Sequence, residues 1–327
     1  MRARILPYIV SLLLAPSLAR AYPELPLCEE SVSLEQIVEN VRTELTPDQK
    51  RKIRLIYDLN NFLRERSYAK GRAFCTLEDT LKPSSKLAGL AASRKDTFNT
   101  ETEPLLLHAI DTPARIAEIA RHYHPDYHDV YVYEVYTPYS QVSPSFLDLS
   151  PSQIIHLVIH ERVHDEIELP RILEEAMADI ASYSLGMEFL DEFQRWDEYH
   201  DDVEQNLNRQ LRRAKVLGQV YSQLSALYAK KDLTTLQKIV LRQDHFEYVK
   251  QELGDTVVNN ATIARELYYT RQFLLLWDIH MGMGNNAAKT IAFYQRLPGD
   301  HIDASAILDE RYASIKGFYQ DETTKKE

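Results

Sequence analysis

The stretch that decides the interpretation of this chain is Ile155–Asp179, IHLVIHERVHDEIELPRILEEAMAD. It contains an H-E-x-x-H motif, with His160 and His164 four residues apart and Glu161 beside the first histidine. Residues four apart on an α-helix lie on one face, so both imidazoles can bind the same metal ion. Glu161 is then placed to act as a general base on a water molecule at that ion. The motif therefore predicts a metal centre with hydrolytic chemistry.

The residues before the motif indicate that it lies on a buried helix. Ser150 is a favoured N-cap residue, and Pro151 suits the first position of a helix. Five apolar side chains then precede the first histidine of the motif: Ile154, Ile155, Leu157, Val158 and Ile159. Histidines that are merely buried and hydrogen-bonded in a core are the alternative explanation of the motif.

A second helix is expected directly after the motif, and it is rich in acidic residues. A catalytic zinc ion has three protein ligands and one open position. The E-A-x-A-D run from Glu175 to Asp179 resembles the third-ligand helix of thermolysin-like zinc peptidases, the gluzincins. The resemblance implies that one Zn²⁺ ion is bound by His160, His164 and Glu175, and that Asp179 orients a ligand histidine. Glu174 is rotated by about 100° from its neighbour and is expected to point elsewhere.

The composition bounds the fold and excludes one class of partner. The chain has 327 residues, of which 44% are hydrophobic and 27% charged, enough for a large core. A formal net charge of −11, with no basic stripe carrying aromatic residues, argues against a nucleic-acid partner. We expect a mainly α fold with a small β-sheet (α+β), in a single helix-rich domain over residues 22–327. It comprises a helical part at about 33–128, a metal-site core at about 129–298 and a C-terminal helix and tail at 299–327.

Residues 1–21 have the pattern of a secretory signal peptide. Arg2 and Arg4 precede the apolar run Ile5–Leu14, and Ala19–Ala21 forms an A-x-A cleavage pattern. The pattern predicts an exported protein, periplasmic or secreted, whose mature chain begins near Tyr22 and contains no transmembrane span. An uncleaved membrane anchor is the alternative, because arginine is unusual at a cleavage site.

Export gives the two cysteines, Cys28 and Cys75, an oxidising environment. An even pair of cysteines in such a compartment is a candidate disulfide. In the chain-entropy model this crosslink would stabilise the fold by about 4 kcal/mol. Two buried free thiols are the alternative.

The clearest strand is Asp129–Tyr139, where β-branched and aromatic residues dominate the sequence DVYVYEVYTPY. In thermolysin-like enzymes an edge strand before the motif helix pairs with the extended substrate backbone. An ordinary core strand is the alternative. Short helices are expected at Pro104–Ile110 and Pro113–Tyr123, and longer ones over Leu190–Ala229 and Val258–His280.

Four segments together resemble an exported bacterial aminopeptidase family of H-E-x-x-H zinc peptidases. They are Val130–Ser140, Ile159–His164, Glu175 with Asp179, and Asn259-Asn260-Ala261 followed by Tyr269. The match spans roughly residues 45–298, and only the H-E-x-x-H block is highly specific. The resemblance implies a zinc-dependent peptidase acting on a peptide or protein. The chain departs from the family's pattern at Arg162, Asp165 and Glu174.

The reaction that this set of residues implies is hydrolysis of a peptide bond. Glu161 would take a proton from the attacking water and give it to the leaving amine. Tyr269 is the first candidate and Tyr139 the second for a group that contacts the substrate oxyanion, although Tyr269 can equally be a core residue. Asn259 and Asn260 either hold the substrate or cap the next helix. The rival hypothesis, favoured by the arginine inside the motif, is a weak or inactive exported protein that binds a peptide or protein partner.

Overall fold

The structure is a computed structural model that describes most of the chain. The described residues are 25–28, 33–41, 44–68, 73–77, 87–98, 105–111, 113–121, 123, 125–135, 141–167, 169, 171–298 and 306–313. The signal-like segment at residues 1–21 and the candidate site residue Tyr139 lie outside them. Among the described residues, no helix is both long enough and apolar enough to span a membrane.

The described part is mostly helical with a small antiparallel sheet, in agreement with the predicted fold class. The helices are α1 (Leu34–Asn40), α2 (Pro47–Glu65), α3 (Pro113–Ala120), α4 (Pro144–Leu147), α5 (Pro151–His164), α6 (Arg171–Glu192), α7 (His200–Ala229), α8 (Thr235–Leu241), α9 (Gln243–Leu253), α10 (Asn260–Thr270), α11 (Phe273–Gly282) and α12 (Ala287–Tyr294). A 3-10 helix at Gln194–Tyr199 joins α6 to α7, and residues 306–313 are also helical. The strands are β1 (Leu25–Pro26), β2 (Thr76–Leu77), β3 (Leu87–Arg94), β4 (Leu105–Asp111) and β5 (His128–Val135).

Three strands form a sheet in the order β4-β3-β5, with all neighbours antiparallel. β5 pairs with β3 along its whole length, from Leu87 opposite Val135 to Arg94 opposite His128. Within the described residues β5 is therefore an edge strand. The helix predicted at Pro104–Ile110 is wrong, because that segment is β4. A short apolar run does not by itself distinguish a strand from a helix, which explains the error.

A disulfide joins Cys28 and Cys75, as the sequence predicts. The two cysteines follow β1 and precede β2, which pair with each other in a separate two-stranded sheet. The backbone N–H of Leu27 also donates to the carbonyl of Cys75. The crosslink thus fixes the start of the described chain next to the segment that enters β2.

The motif helix α5 begins as its sequence predicts. The hydroxyl of Ser150 accepts a hydrogen bond from the backbone N–H of Gln153, whose side chain accepts one from the backbone N–H of Ser150. This reciprocal pair is a capping box, and Pro151 occupies the first helical position. Four side chains anchor the helix in the main hydrophobic core: Ile154, Ile155, Val158 and Ile159. α5 packs against α2 and α6, so its histidines are held on a rigid element.

Helix α10 connects the sheet to the helices of the motif, since it packs on β3 and β5 and also on α6 and α7. Its start is fixed by buried polar contacts. Asp129 of β5 accepts hydrogen bonds from the backbone N–H of Asn260 at 3.0 Å and from Nη1 of Arg242 at 2.7 Å. The amide of Asn260 donates to the carbonyl of Arg94 and accepts from the hydroxyl of Tyr228. These bonds set the position of α10 along β5.

Candidate metal centre

The structure brings His160, His164 and Glu175 together where α5 meets α6. Nε2 of His160 lies 3.0 Å from Nε2 of His164 and 3.2 Å from Oε2 of Glu175. The same carboxylate oxygen lies 3.6 Å from Nε2 of His164. One atom from each of the three side chains therefore points at a common position, and the group can hold a metal ion.

A carboxylate also faces the second nitrogen of each imidazole. Nδ1 of His160 lies 2.9 Å from Oδ1 of Asp179, and Nδ1 of His164 lies 3.1 Å from Oε1 of Glu174. Nδ1 of His160 does not form a well-aligned hydrogen bond with that oxygen, so the contact is a close electrostatic approach. Both nitrogens of each ring therefore face an acid. With a metal ion at the common position, Nδ1 of each ring would carry the proton beside its carboxylate, and Nε2 would present a lone pair to the ion.

The contact made by Glu174 corrects one expectation. Rotation about the α6 axis predicts that Glu174 points away from the metal centre, yet its carboxylate contacts His164. The two nitrogens of an imidazole lie on different sides of the ring, and a glutamate side chain is long. His164 can therefore meet Glu174 at Nδ1 and Glu175 at Nε2, although these glutamates leave the helix in different directions.

The donor set fits a small divalent cation. Two imidazole lone pairs and a carboxylate oxygen meet at one position, where their mutual repulsion requires a positive charge. Ligand atoms at about 2.0–2.1 Å from a tetrahedral zinc ion would be about 3.3 Å apart. The observed separations of 3.0, 3.2 and 3.6 Å lie on both sides of that value.

The pKa values of these groups show the same demand for positive charge. Burial acts to lower the pKa of His160, but the contacts with Asp179 and Glu175 raise it to about 10. Burial likewise acts to lower the pKa of His164, and Glu174 and Glu175 raise it to about 9. For Glu175 burial acts in the opposite direction, and the two histidines hold its pKa well below the usual range. A metal ion that binds here displaces protons from the histidines.

The candidate base Glu161 is half-buried on α5 beside this centre. Its negative charge acts to raise the pKa of His160, after the larger contributions of Asp179 and Glu175. Among the described residues, none forms a hydrogen bond or an ion pair with the Glu161 carboxylate. A carboxylate that the fold itself does not engage is available to accept a proton.

Tyr269 reaches the same centre from α10. Its ring centroid lies 6.5 Å from that of the His160 imidazole. Burial, followed by the negative charge of Glu175, raises the pKa of the Tyr269 phenol far above its ordinary value. The hydroxyl therefore keeps its proton and is able to donate a hydrogen bond.

Asn259 and Asn260 are engaged by the fold. Oδ1 of Asn259 accepts from the backbone N–H of Thr262 as the N-cap of α10, and its Nδ2 donates to the carbonyl of Val130. Asn260 is fully buried, and its amide is taken up by the contacts with β3 and α7. The capping alternative therefore describes Asn259, and the amide of Asn260 holds α10 to β3 and α7 instead. A role of this pair in substrate binding stays a prediction, and the polar atoms that would serve it make contacts within the fold.

Three charged residues depart from the resembled pattern, and two of them, Arg162 and Asp165, lie on α5 or at its end. Arg162 is 2% exposed, and its Nη2 donates to the carbonyl of Tyr68 at 2.9 Å. Its Nη1 lies 3.0 Å from Sγ of Cys75 and 3.7 Å from Sγ of Cys28. Asp165 is exposed at the C-cap of α5. Arg162 thus ties the motif helix to the disulfide, on a different face from the histidines.

Sequence reasoning missed His156, one turn before His160. Its Nε2 lies 3.2 Å from the oxygen of Asp179 that also contacts His160, and its Nδ1 lies 2.7 Å from the hydroxyl of Ser182. Gln210 of α7 donates to the other oxygen of Asp179 at 3.1 Å. The acid that orients His160 is therefore held from three sides. The spacing of four residues between His156 and His160 was the available signal.

Two further groupings in the described part have donor atoms close enough to hold a cation: His156 with His160 and Asp179, and His200 with Asp201 and Glu204. The first uses the His160 ring, whose Nε2 already faces the main centre. The second lies on the surface at the start of α7, where its acids are exposed to water. The main centre alone combines the H-E-x-x-H motif with oriented imidazoles.

Comparisons of the chain with protein-family models, with curated proteins and with solved structures found no match. The family resemblance drawn from the sequence motifs therefore stays a prediction.

Proposed function

We propose that the protein is an exported zinc metallopeptidase, of the aminopeptidase type that its motifs resemble. One observation carries the proposal: Nε2 of His160, Nε2 of His164 and Oε2 of Glu175 converge within 3.0–3.6 Å on an H-E-x-x-H helix and its neighbour. Two histidines and a glutamate are a ligand set of catalytic zinc sites, which keep a further position for water. Glu161 stands beside this set.

Five side chains have two separate roles in the proposed centre. Three would bind the ion, and two would orient the histidine ligands. His160, His164 and Glu175 would hold Zn²⁺ through the atoms that converge. Asp179 and Glu174 keep the two imidazoles turned toward it by facing their Nδ1 atoms. A zinc ion bound there would supply Lewis acidity, which would polarise a carbonyl and lower the pKa of water toward about 7.

Two further side chains of the chain act on the substrate. The Glu161 carboxylate accepts a proton from the attacking water and delivers it to the nitrogen of the leaving amine. The Tyr269 hydroxyl, which keeps its proton, donates a hydrogen bond to the carbonyl oxygen of the scissile bond as that oxygen gains negative charge. The edge of β5 offers main-chain groups to an extended peptide. One of them, the carbonyl of Val130, is already occupied by Asn259.

The rival hypothesis of an inactive binding protein rested on Arg162. The structure accounts for this arginine through its contacts with the Tyr68 carbonyl and the Cys28–Cys75 disulfide. It is thus a structural residue of the helix, and its presence is compatible with an active centre on another face.

The proposal is tested by metal analysis and peptide hydrolysis with the mature protein and its Glu161→Gln variant. Both proteins should contain about one equivalent of zinc, because Glu161 is not a ligand. Hydrolysis by the variant should fall by at least about 10²-fold, since an amide cannot accept the proton. Asp165→Asn is the matched control, as it removes an exposed acid from the end of the same helix, and it should keep full activity. Parent protein without zinc, or a Glu161→Gln variant that retains activity, would contradict the proposal.

A further inference from the structure

Arg265 of α10 packs against the ring of Tyr133, which lies over Gly89 of the neighbouring strand; this pair of residues is called the platform below. The guanidinium carbon of Arg265 is 4.3 Å from the ring centroid of Tyr133 on β5. Tyr133 stands opposite Gly89 of β3, where an added Cβ would lie only 2.3 Å from the tyrosine ring. The ring can therefore lie over this position only because residue 89 has no side chain. Two strands and a helix thus hold one cation against an aromatic face.

The platform lies beside the metal centre. Arg265 and Tyr269 are four residues apart and share a face of α10. The guanidinium carbon is 5.6 Å from the Tyr269 ring centroid, which is itself 6.5 Å from the His160 ring centroid. The cation is thus at most about 12 Å from the His160 imidazole, and an extended peptide advances about 3.3–3.6 Å per residue. A group two or three residues from the scissile bond can reach it.

Arg265 keeps hydrogen-bond donors for a ligand. Its Nη1 donates to Oε1 of Glu266 at 2.6 Å, but a guanidinium has five N–H groups. Glu266 is shared, because its other oxygen accepts from Nε of Arg213, which also pairs with Asp255. Within the described part, Nε and Nη2 of Arg265 form no hydrogen bond with an acceptor. The side chain is 25% exposed, so it is sheltered but reachable.

The charges around the metal centre set Arg265 apart. The charged side chains that contact the two ligand histidines are acids: Glu174, Glu175 and Asp179. Arg265 is the cation that α10 adds on the sheet side of Tyr269. A guanidinium between tyrosine rings is partly shielded from water, which strengthens a charge-assisted hydrogen bond to a carboxylate.

We propose that Arg265 binds a carboxylate of the substrate, either the C-terminal carboxylate or an acidic side chain. The favoured substrates are then peptides with a negative charge two or three residues from the bond that is cleaved. The inference rests on the proposed peptidase function, and it names the substrate class that the site selects.

The test uses the zinc-loaded mature protein carrying Glu161→Gln, so that bound peptides are not consumed. Four peptides of one sequence are compared, with a free or amidated C-terminus and with Glu or Gln at one position. Fluorescence anisotropy should show at least about 10-fold tighter binding of one carboxylate form over its amide partner. The pair that shows the difference identifies the source of the carboxylate. Adding Arg265→Gln should make all four peptides bind alike, whereas Arg265→Lys should keep part of the preference.

Two further variants separate recognition from damage to the fold. Glu266→Gln removes the acid that competes for Arg265 and should strengthen binding of the carboxylate peptide, whereas a loosened fold would weaken it. Arg212→Gln, which removes an arginine paired with Glu252 of α9, should leave the preference unchanged. Three outcomes would overturn the inference. They are equal affinity for all four peptides in the presence of Arg265, no binding of any peptide, and a preference that survives Arg265→Gln.

A hydrolysis assay separates the role of Arg265 from the peptidase proposal. It uses the protein with Glu161 intact and the same four peptides. Hydrolysis without any preference for the carboxylate peptides would overturn the role of Arg265 and leave the peptidase proposal standing. A preference in binding that depends on Arg265, without hydrolysis of any peptide, would overturn the peptidase proposal and support carboxylate binding.

Discussion

The two faces of α5 bury charged groups in different ways. On the face toward α6, His160 and His164 each have a carboxylate at both ring nitrogens. On the face toward the disulfide, Arg162 contacts a carbonyl and two sulfur atoms, and burial lowers its pKa although Asp165 and Glu166 act to raise it. The carboxylates outweigh burial at the two histidines and favour positive charge there, whereas burial outweighs the nearby acids at Arg162. A charged residue inside an H-E-x-x-H motif therefore does not by itself indicate chemistry; its neighbours decide.

The largest effect on zinc affinity should come from Glu175. Glu175→Ala leaves two histidine ligands, too few for a stable catalytic site, so affinity should fall by more than about 100-fold. Zinc titration against a chelator measures the loss, with circular dichroism to verify the fold. Glu192→Gln, at the far end of α6, is the matched control and should bind zinc like the parent. Retention of zinc by Glu175→Ala would show that the metal is bound elsewhere.

A smaller effect is expected for Glu174, which contacts His164 without reaching the shared position. Glu174→Gln should lower zinc affinity by about 10-fold, in the range typical of residues that orient metal ligands. Asp179→Asn should do the same through His160, and both variants are measured in the same titration. A Glu174→Gln protein with parental affinity would show that the contact with His164 does not orient the ring.

The smallest effect on zinc should come from the opposite face of the helix. Arg162→Met should leave zinc affinity within about threefold of the parent, because the side chain does not belong to the histidine face. It should still lower the free energy of unfolding by about 1–2 kcal/mol, since the Tyr68 carbonyl loses its donor. Urea denaturation of the zinc-free protein measures this loss. A tenfold fall in zinc affinity with parental stability would reverse the roles assigned to the two faces.

Local chemistry made much of the metal centre predictable. The start of α5 was predictable from Ser150 and Pro151, which occupy the N-cap and the first helical position. The convergence of His160 and His164 follows from helical spacing alone. Glu175 required the resemblance to a ligand helix, because its approach depends on how α6 packs against α5.

Long-range packing explains what the sequence did not reveal. Leu105–Asp111 is a strand because it pairs with β3, and its apolar run fits a helix equally well. The contact of Glu174 with His164 depends on the placement of α6. The platform under Arg265 depends on the register that sets Gly89 opposite Tyr133. None of these pairings is visible in a single segment of sequence.

The most direct test of the central claim is X-ray absorption spectroscopy at the zinc edge of the purified mature protein. The geometry between α5 and α6 predicts a four-coordinate ion with nitrogen and oxygen ligands at about 2.0–2.1 Å, two of them imidazoles. His164→Ala should remove one imidazole from that shell or lose the ion altogether. A spectrum with sulfur ligands or with six oxygen ligands would contradict the assignment. So would a His164→Ala variant whose zinc still has the same two imidazoles.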